Sequence, residues 1–501
     1  MTETARIDPS RFVPVGRVSE RFQSYNIEMA EITGGTFWRP YTDAQVRGVE
    51  PVTFASESSD ADGEGSAAFA HVGSLTAPVA PVDLSGARVR TVARALGPVH
   101  VRVSGSWASH TWFDVTVEQE GSAPDGYHAV LHRHQWDGLI DFARSVGADL
   151  VTSMANTVGA HLADGSWNPA NSRAFLTYTL ENGLNVAGAE FMNEPDLATL
   201  HGAPAGYTAA DYRRDVAIFV RMLRETAPEA LFIGPGAAMA RMSGAAPFPH
   251  LPIDDLMTGP AGPAGPPDVF SYHFYNGLSE RGGGLHHTPA DQVLTEEYLA
   301  RTEKALAGFA AVRDDHAPGA PMWLTETADA AYGGSTWAST WLDTPRYVDQ
   351  LGRLARSGVE CVMHNTLCAS DYGMLDSRTH APRAKYWAAW MWAKFMGTEV
   401  FDAGVPIREG LHVYAHSRRD GSGHALAIIN NDRTEVTEVD LPIGSIAYVL
   451  TGPELRGLEV HCNGRPLRMV DDHTMPEPLG VAVEGTLVLP PVSVTFVTLT
   501  A

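Results

Sequence analysis

The run Val186-Ala187-Gly188-Ala189-Glu190-Phe191-Met192-Asn193-Glu194-Pro195 is a short β-rich segment that ends on a carboxylate and a proline. Pro195 has no backbone N–H to give a sheet, so the strand stops there and leaves Glu194 at its C-terminal end. Seven further runs of this kind surround it: SYNIEMA from Ser24, VHVRVSG from Val99, ADLVTSM from Ala148, ALFIGPG from Ala230, DVFSYHFY from Asp268, PMWLTET from Pro321 and VECVMHN from Val359. Amphipathic stretches separate them, among them Trp136–Val146, Ala209–Thr226, Glu296–Arg313 and Pro345–Arg356. In the last, Tyr347, Leu351, Leu354 and Ala355 recur at helical spacing. Eight strands alternating with helices predict an α/β chain whose parallel strands close into a (β/α)8 TIM barrel, with functional groups at the strand C-termini. An open doubly wound sheet is disfavoured, because no glycine-rich phosphate loop follows the first strand.

The texture changes after Trp392. Short strands such as HVYAHS, HALAIIN, TEVDL, AYVLTG and SVTFVTL alternate with Gly, Pro, Asn and Asp turns, the pattern of a β-sandwich. We therefore expect a catalytic barrel over residues 21–396 and a C-terminal β-sandwich over 397–501. Residues 1–20 form an N-terminal segment whose stretch Arg11–Val18 adds a strand to the sandwich. Residues 56–65 and 258–267 read as loops.

The formal charge is −23, and Lys304, Lys385 and Lys394 are the only lysines, so nearly all positive charge is arginine, as in a GC-rich bacterial genome. Such a field repels nucleic acid, anionic lipid and sulfated polysaccharide. It does not prevent a local pocket from holding one carboxylate. No apolar run is long enough for a membrane span, and the N-terminus lacks a secretory pattern, so a cytoplasmic protein is expected. Cys361, Cys368 and Cys462 have neither a disulfide nor a metal spacing and read as buried thiols. The pairs His132 with His134 and His286 with His287 lack a third ligand, so neither metal nor cofactor is expected. Oligomeric state is not legible.

A second glutamate ends the seventh run, in Met322-Trp323-Leu324-Thr325-Glu326-Thr327. Strands four and seven lie across a barrel mouth from each other, so Glu194 and Glu326 can approach the roughly 5–5.5 Å separation of a double-displacement glycosidase. That chemistry needs one carboxyl protonated, to help the aglycone depart, and one ionised, to attack the anomeric carbon. Glu194 is the candidate acid/base and Glu326 the candidate nucleophile; a salt-bridged rim residue is the lesser alternative for either one alone, and the pair together makes it remote. Asn193 supplies an amide beside the acid. Tyr275 ends the sixth strand, where its hydroxyl can donate to Glu326, and His273 sits two residues earlier on the same face.

These residues resemble glycoside hydrolase family 79, the family of heparanases and β-glucuronidases. Asn193-Glu194-Pro195, Glu326 with Ala331-Tyr332-Gly333-Gly334, His273 with Tyr275, and Trp167-Asn168 with Asn171 carry the likeness, along with Asn463-Gly464 and Met469-Val470-Asp471-Asp472 further on. The resemblance implies Glu194 as acid/base, Glu326 as nucleophile, Asn193 on the sugar 2-hydroxyl and Tyr275 beside the nucleophile. It also implies that Tyr332, Gly333 and Gly334 hold a glucuronate carboxylate through a hydroxyl and backbone N–H groups, an anion nest that needs no lysine.

Departures from the family pattern are equally informative. Ser104-Gly105-Ser106-Trp107 stands where heparanases carry Gly-Gly-Thr, so Ser106 replaces a threonine hydroxyl and Trp107 adds bulk. His364-Asn365 stands where they carry arginine and glutamine, leaving Asn365 as a shorter amide. The stretch Pro235–His250 has Arg241 as its single fixed positive charge where heparanases have a basic cluster. The expectation is a retaining exo-β-glucuronidase acting on terminal glucuronic acid, with or without a 4-O-methyl group, in small or weakly charged glycosides. A heparanase-like endo-β-glucuronidase is the alternative, and a non-catalytic carbohydrate-binding protein is the alternative of another class.

Overall fold

Alternating side chains build two cores around one ring of strands. The computed structural model describes residues 4–53, 75–114, 122–241, 249–258, 265–282 and 287–499. Its ring consists of β1 (Gln23–Glu28), β2 (His100–Ser104), β3 (Asp149–Ser153), β4 (Val186–Glu190), β5 (Leu231–Ala237), β6 (Val269–Leu278), β7 (Met322–Ala331) and β8 (Val359–His364). Every neighbouring pair is parallel and β8 closes on β1, so the expected (β/α)8 barrel is the fold. Each strand overlaps one of the eight runs read from the sequence, although β6 and β7 continue past their runs to Leu278 and Ala331, and the helix Ala209–Thr226 matches its expected limits. The stretch from Glu296 divides into Glu296–Leu299 and Arg301–His316.

Along the strands, Leu150, Phe232, Phe270, Leu324 and Val362 face the helices and belong to the main core. Their neighbours Val151, Ile233, Val269, Trp323, Cys361 and Met363 form a separate apolar layer within the ring. That layer plugs the lower part of the barrel, so polar residues nearer the strand C-termini sit on a dry floor.

The strand-rich C-terminal region has one large sheet and one small one. β9 (Met396–Asp402), β10 (His412–Arg418), β11 (His424–Asn430), β12 (Ile446–Thr451) and β13 (Ser493–Leu499) make the body of the large sheet. Val13–Arg17 pairs antiparallel with β9 at its edge. The small sheet joins Ala5–Arg6, Thr437–Asp440 and Thr486–Leu489. Val413, Ala415, Leu426, Ile428 and Val497 of the large sheet pack with Val439 and Leu489 of the small one in a core of their own, layering consistent with the expected sandwich. The alternate residues Tyr414, Ala427, Ile429 and Phe496 join the barrel's core instead. Gly352 on the helix Asp343–Arg356 makes that junction possible, because a Cβ there would lie 2.2 Å from the Tyr414 ring. The sequence-read loop 56–65 lies outside the described residues, as do residues 259–264 of the loop 258–267 and 242–248 of the stretch after β5.

Candidate active site

A cavity of about 370 Å³ opens at the C-terminal end of the barrel, lined by Glu194, Glu326, His273, Tyr275, Tyr332 and Ser106 among others. Glu194 reaches it through a left-handed backbone, φ 43° and ψ 66°, as the strand turns into the short helix Pro195–Leu197. Such a conformation is costly for a non-glycine residue, on the order of 1–3 kcal/mol, and the following proline disfavours the right-handed helical alternative. Glu326 arrives from β7, in register with His273 of β6. His273 Nδ1 lies 3.1 Å from Glu194 Oε1 and 3.7 Å from Glu326 Oε2. One oxygen of each carboxylate and this nitrogen all fall within 4.8 Å of one another. The two glutamates therefore share one cleft.

Arg102, from the middle of β2, organises the floor beneath them. Its guanidinium contacts Glu326 Oε2 at 3.0 Å, Glu190 Oε2 at 2.8 Å and Asn193 Oδ1 at 3.0 Å, with both partners of each ion pair buried. Glu190 is held from its other side by Thr325 Oγ1 at 2.9 Å. Arg102 Nη2 also lies 3.2 Å from His273 Nε2. A guanidinium can only donate, so Nε2 must accept, and the ring proton of His273 sits on Nδ1, facing the carboxylates. The opposite face of Glu326 accepts the Tyr275 hydroxyl at 2.5 Å. Burial and then the charge of Glu326 push that phenol well above its ordinary range, so it stays a donor.

Glu194 is bounded by two imidazoles, His273 on Oε1 and His201 at 3.2 Å from Oε2. Burial alone would raise its pKa, but hydrogen bonds from His201 and His273, and then their charge, hold it well below the usual carboxylate range. Two residues on, Asp196 is pushed up to about 7, first by burial and then by Glu194, although it accepts the N–H groups of Ala238 and Met239.

Glu28, at the end of β1, is a third cavity carboxyl. Burial, followed by the charge of Glu326, pushes it well above the ordinary value. Its Oε1 accepts Asn365 Nδ2 at 3.0 Å, and its other oxygen lies over Gly105, where a Cβ would come within 1.5 Å. Asn365 also reaches the Tyr275 and Tyr372 hydroxyls at 3.0 and 3.2 Å.

Ser106 and Trp107 both line the cavity, and Trp107 packs edge-on to Phe37. Tyr332 stands upright against Trp38, with ring centroids 5.5 Å apart. Asn193, Gly333, Gly334 and Asn365 are buried behind the wall rather than in it. A Cβ on Gly333 would lie 2.6 Å from Trp38, so the glycine lets the indole approach the turn closely. The carbonyls of Tyr332 and Gly334 accept Arg281, that of Gly333 accepts Ser370, and Arg281 is neutralised by Asp371. Glu28, Arg102, His201, Trp38 and Tyr372 were not singled out from the sequence. Arg102 had a visible signal, a lone charge between two valines of an apolar strand, and Glu28 had the same strand-end position as Glu194.

A carboxylate-lined cavity at the C-terminal end of a closed (β/α)8 barrel defines a protein of the glycoside hydrolase kind. Residues 68–352 match the model of glycosyl hydrolase family 79, N-terminal domain. The match covers more than half of the 501 residues, and the chain belongs to this family. It is 25% identical to heparanase-like protein 1 of Arabidopsis thaliana over 70% of this chain and 65% of that protein, so it spans about two thirds of that relative's length. It is 22% identical to baicalin-beta-D-glucuronidase of Scutellaria baicalensis over 72% of this chain and 71% of that protein. Inactive heparanase-2 of Homo sapiens is 24% identical over 76% and 69% of the two chains. In fold it resembles a 4-O-alpha-L-rhamnosyl-beta-D-glucuronidase from Fusarium oxysporum 12S, with a TM-score of 0.62 at 13% identity over 99% of both chains.

Proposed function

We propose that this protein is a retaining exo-β-glucuronidase, with Glu326 as nucleophile and Glu194 as acid/base. The observation that carries the reading is the pair of carboxylates, with oxygens inside 4.8 Å of one another in a single cavity. That spacing suits direct attack on the anomeric carbon and leaves too little room for the intervening water of an inverting enzyme. Arg102 and Tyr275 hold and aim Glu326; formation of the glycosyl-enzyme discharges it, and Glu194 then takes a proton from the incoming water.

The sugar's carboxylate is assigned to the turn Tyr332–Gly334. All three carbonyls there are tied back by Arg281 and Ser370, which favours using the turn's opposite, N–H side for an anion, with the Tyr332 hydroxyl beside it. Beyond the sugar, Leu197, Leu200, Met239, Phe274 and Leu278 make a largely apolar wall, and the described lining contains neither lysine nor arginine. Arg241 is committed to Asp254 and Asp315. Such a surface suits a small or weakly charged aglycone better than a sulfated chain.

The test is hydrolysis of an aryl β-glucuronide, with the anomer of the released sugar followed by NMR before mutarotation. Release of the β-anomer is expected, and Glu326→Ala should lower kcat by at least about 10³-fold. An initial α-anomer would overturn the retaining mechanism. Internal cleavage of heparan oligosaccharides, in preference to the aryl substrate, would overturn the exo assignment.

A further inference from the structure

The two histidines on Glu194 are not equivalent. His273 is locked: Arg102 donates to its Nε2 at 3.2 Å, so its Nδ1 always carries the proton that faces Glu194. His201 is unlocked. Its Nε2 lies 3.2 Å from Glu194 Oε2, while its Nδ1 is buried with no hydrogen-bond partner among the described residues. Nothing on that side fixes which nitrogen is protonated. The ring is carried by the same turn as the acid, its backbone N–H bonded to the carbonyls of Leu197 and Ala198, so the contact is built into the Pro195–His201 segment.

A double displacement makes opposite demands on Glu194. It must hold a proton while the leaving group departs and be ionised when water attacks. A carboxylate with fixed N–H donors on both oxygens would meet only the second demand. His273 supplies one fixed donor, so the balance between the two demands rests on the contact with His201. The other titratable groups facing the pair are Glu326 across the cleft, Asp196 on the same turn, Tyr275 and Tyr332 from the sugar side, and His110 behind Gly202. His110 is an inert neighbour: burial, then His128 and His201, lower it to about 4, so it is neutral across the working range.

We propose that His201 is a positioning residue that sets the proton affinity of Glu194, donating from Nε2 to the ionised carboxylate and so limiting that affinity. In the first step the Glu194 O–H bond breaks, its proton goes to the glycosidic oxygen, and the C1–O bond to the aglycone breaks as the Glu326–C1 bond forms. In the second, Glu194 takes the proton of the attacking water as the Glu326–C1 bond breaks. His201 ends each turnover in the state in which it began.

The proposal rests on Glu194 being the acid/base, and the experiment separates the two. The pH dependence of kcat/KM is measured with phenyl β-glucuronide, which needs protonation of its leaving group, and with 2,4-dinitrophenyl β-glucuronide, which does not. For the phenyl substrate, His201→Ala is expected to move the alkaline limb to higher pH by about one unit, because a donor that favours the ionised acid has gone. His201→Gln, whose amide reaches the same oxygen and can either donate or accept, is expected to return the limb to its wild-type position. An alkaline limb unmoved in His201→Ala, or displaced equally in both variants, overturns the proposal. Glu194→Gln reports on the underlying reading alone: if it slows both substrates by the same factor, Glu194 is not the acid, whatever the His201 variants do.

Discussion

Arg102 Nη1 lies 3.0 Å from Glu326 Oε2 with both side chains almost wholly buried, and the same guanidinium is bonded to Glu190. One arginine therefore neutralises two carboxylates on a dry floor. A buried carboxylate without its counter-charge is expensive, so the cation offsets the cost of burying Glu326 next to Glu194.

Replacing Arg102 should therefore damage folding and chemistry together. Arg102→Met leaves Glu190 and Glu326 buried without a counter-charge and is expected to cost about 3–5 kcal/mol. Urea unfolding measures the loss, and a change below about 1 kcal/mol would show that the pair is not the anchor of the floor. Arg102→Lys keeps the charge but cannot span Glu326, Glu190, Asn193 and His273 at once, so it should be milder in stability and still strongly impaired in kcat.

Glu28 makes a prediction of the opposite sign. Burial and Glu326 raise its pKa, so the folded state prefers the neutral acid. The stability contributed by that proton is complete below the unfolded pKa and is lost as pH rises from there through the raised folded value. Glu28→Gln mimics the neutral acid at every pH. Its melting temperature should exceed that of the wild type at pH 8 and match it near pH 4; an equal gap at both values would reject protonation of Glu28. Gly105→Ala should be disruptive, since its Cβ would fall 1.5 Å from the Glu28 carboxyl.

The junction of barrel and C-terminal sheet carries its own titration. His412 Nδ1 lies 2.5 Å from Asp349 and Nε2 2.7 Å from Glu296, so both ring nitrogens donate and the imidazole is charged. Burial opposes that charge, but Asp349 and Glu296 outweigh it and raise the pKa from 6.5 to about 9. Its stabilisation is complete below pH 6.5 and is lost as pH rises to about 9. Asp349 behaves in the reverse sense: burial raises its pKa, but His412 and Arg353 bring it from 3.8 down to about 2, so its contribution disappears as pH falls through that window. Calorimetry should show the melting temperature declining between pH 6.5 and 9 in the wild type and staying flatter in His412→Asn.

Much of this was legible in the sequence because barrel strands obey strong local rules. Glu194 lies just past the end of β4, in the turn that Pro195 marks, whereas Glu326 lies midway along β7, which runs on to Ala331 beyond the strand end expected at this glutamate; both still reach the mouth. Arg102 and Glu28 lay in strands that were read correctly, yet their partners are 88 and 337 residues away, and sequence patterning reports only neighbours. His201 sits in a turn with no periodic signal. For Gly333 and Gly334 the sequence implied a close approach of backbone to ligand, whereas the structure shows their Cα positions crowded by Trp38, Ser370 and Tyr372. A glycine needed for packing and one needed for binding look alike as a letter.

That distinction decides the last prediction, on sugar specificity. If the turn Tyr332–Gly334 holds the uronate, the donors that face it have no partner when the sugar ends in a hydroxymethyl group, and an unpaired donor costs about 1–3 kcal/mol. Several such donors should favour an aryl β-glucuronide over the matching β-glucoside by at least about 10²-fold in kcat/KM. Tyr332→Phe removes one hydroxyl while keeping the ring that stands against Trp38, so stability should hold and the glucuronide should lose about tenfold, with little change for the glucoside. Gly333→Ala separates packing from binding. Its methyl group would collide with Trp38 at 2.6 Å, displacing the indole and slowing both sugars together. Equal rates of the wild-type enzyme on glucuronide and glucoside would remove the uronate from this turn and leave the two facing carboxylates without a sugar assignment.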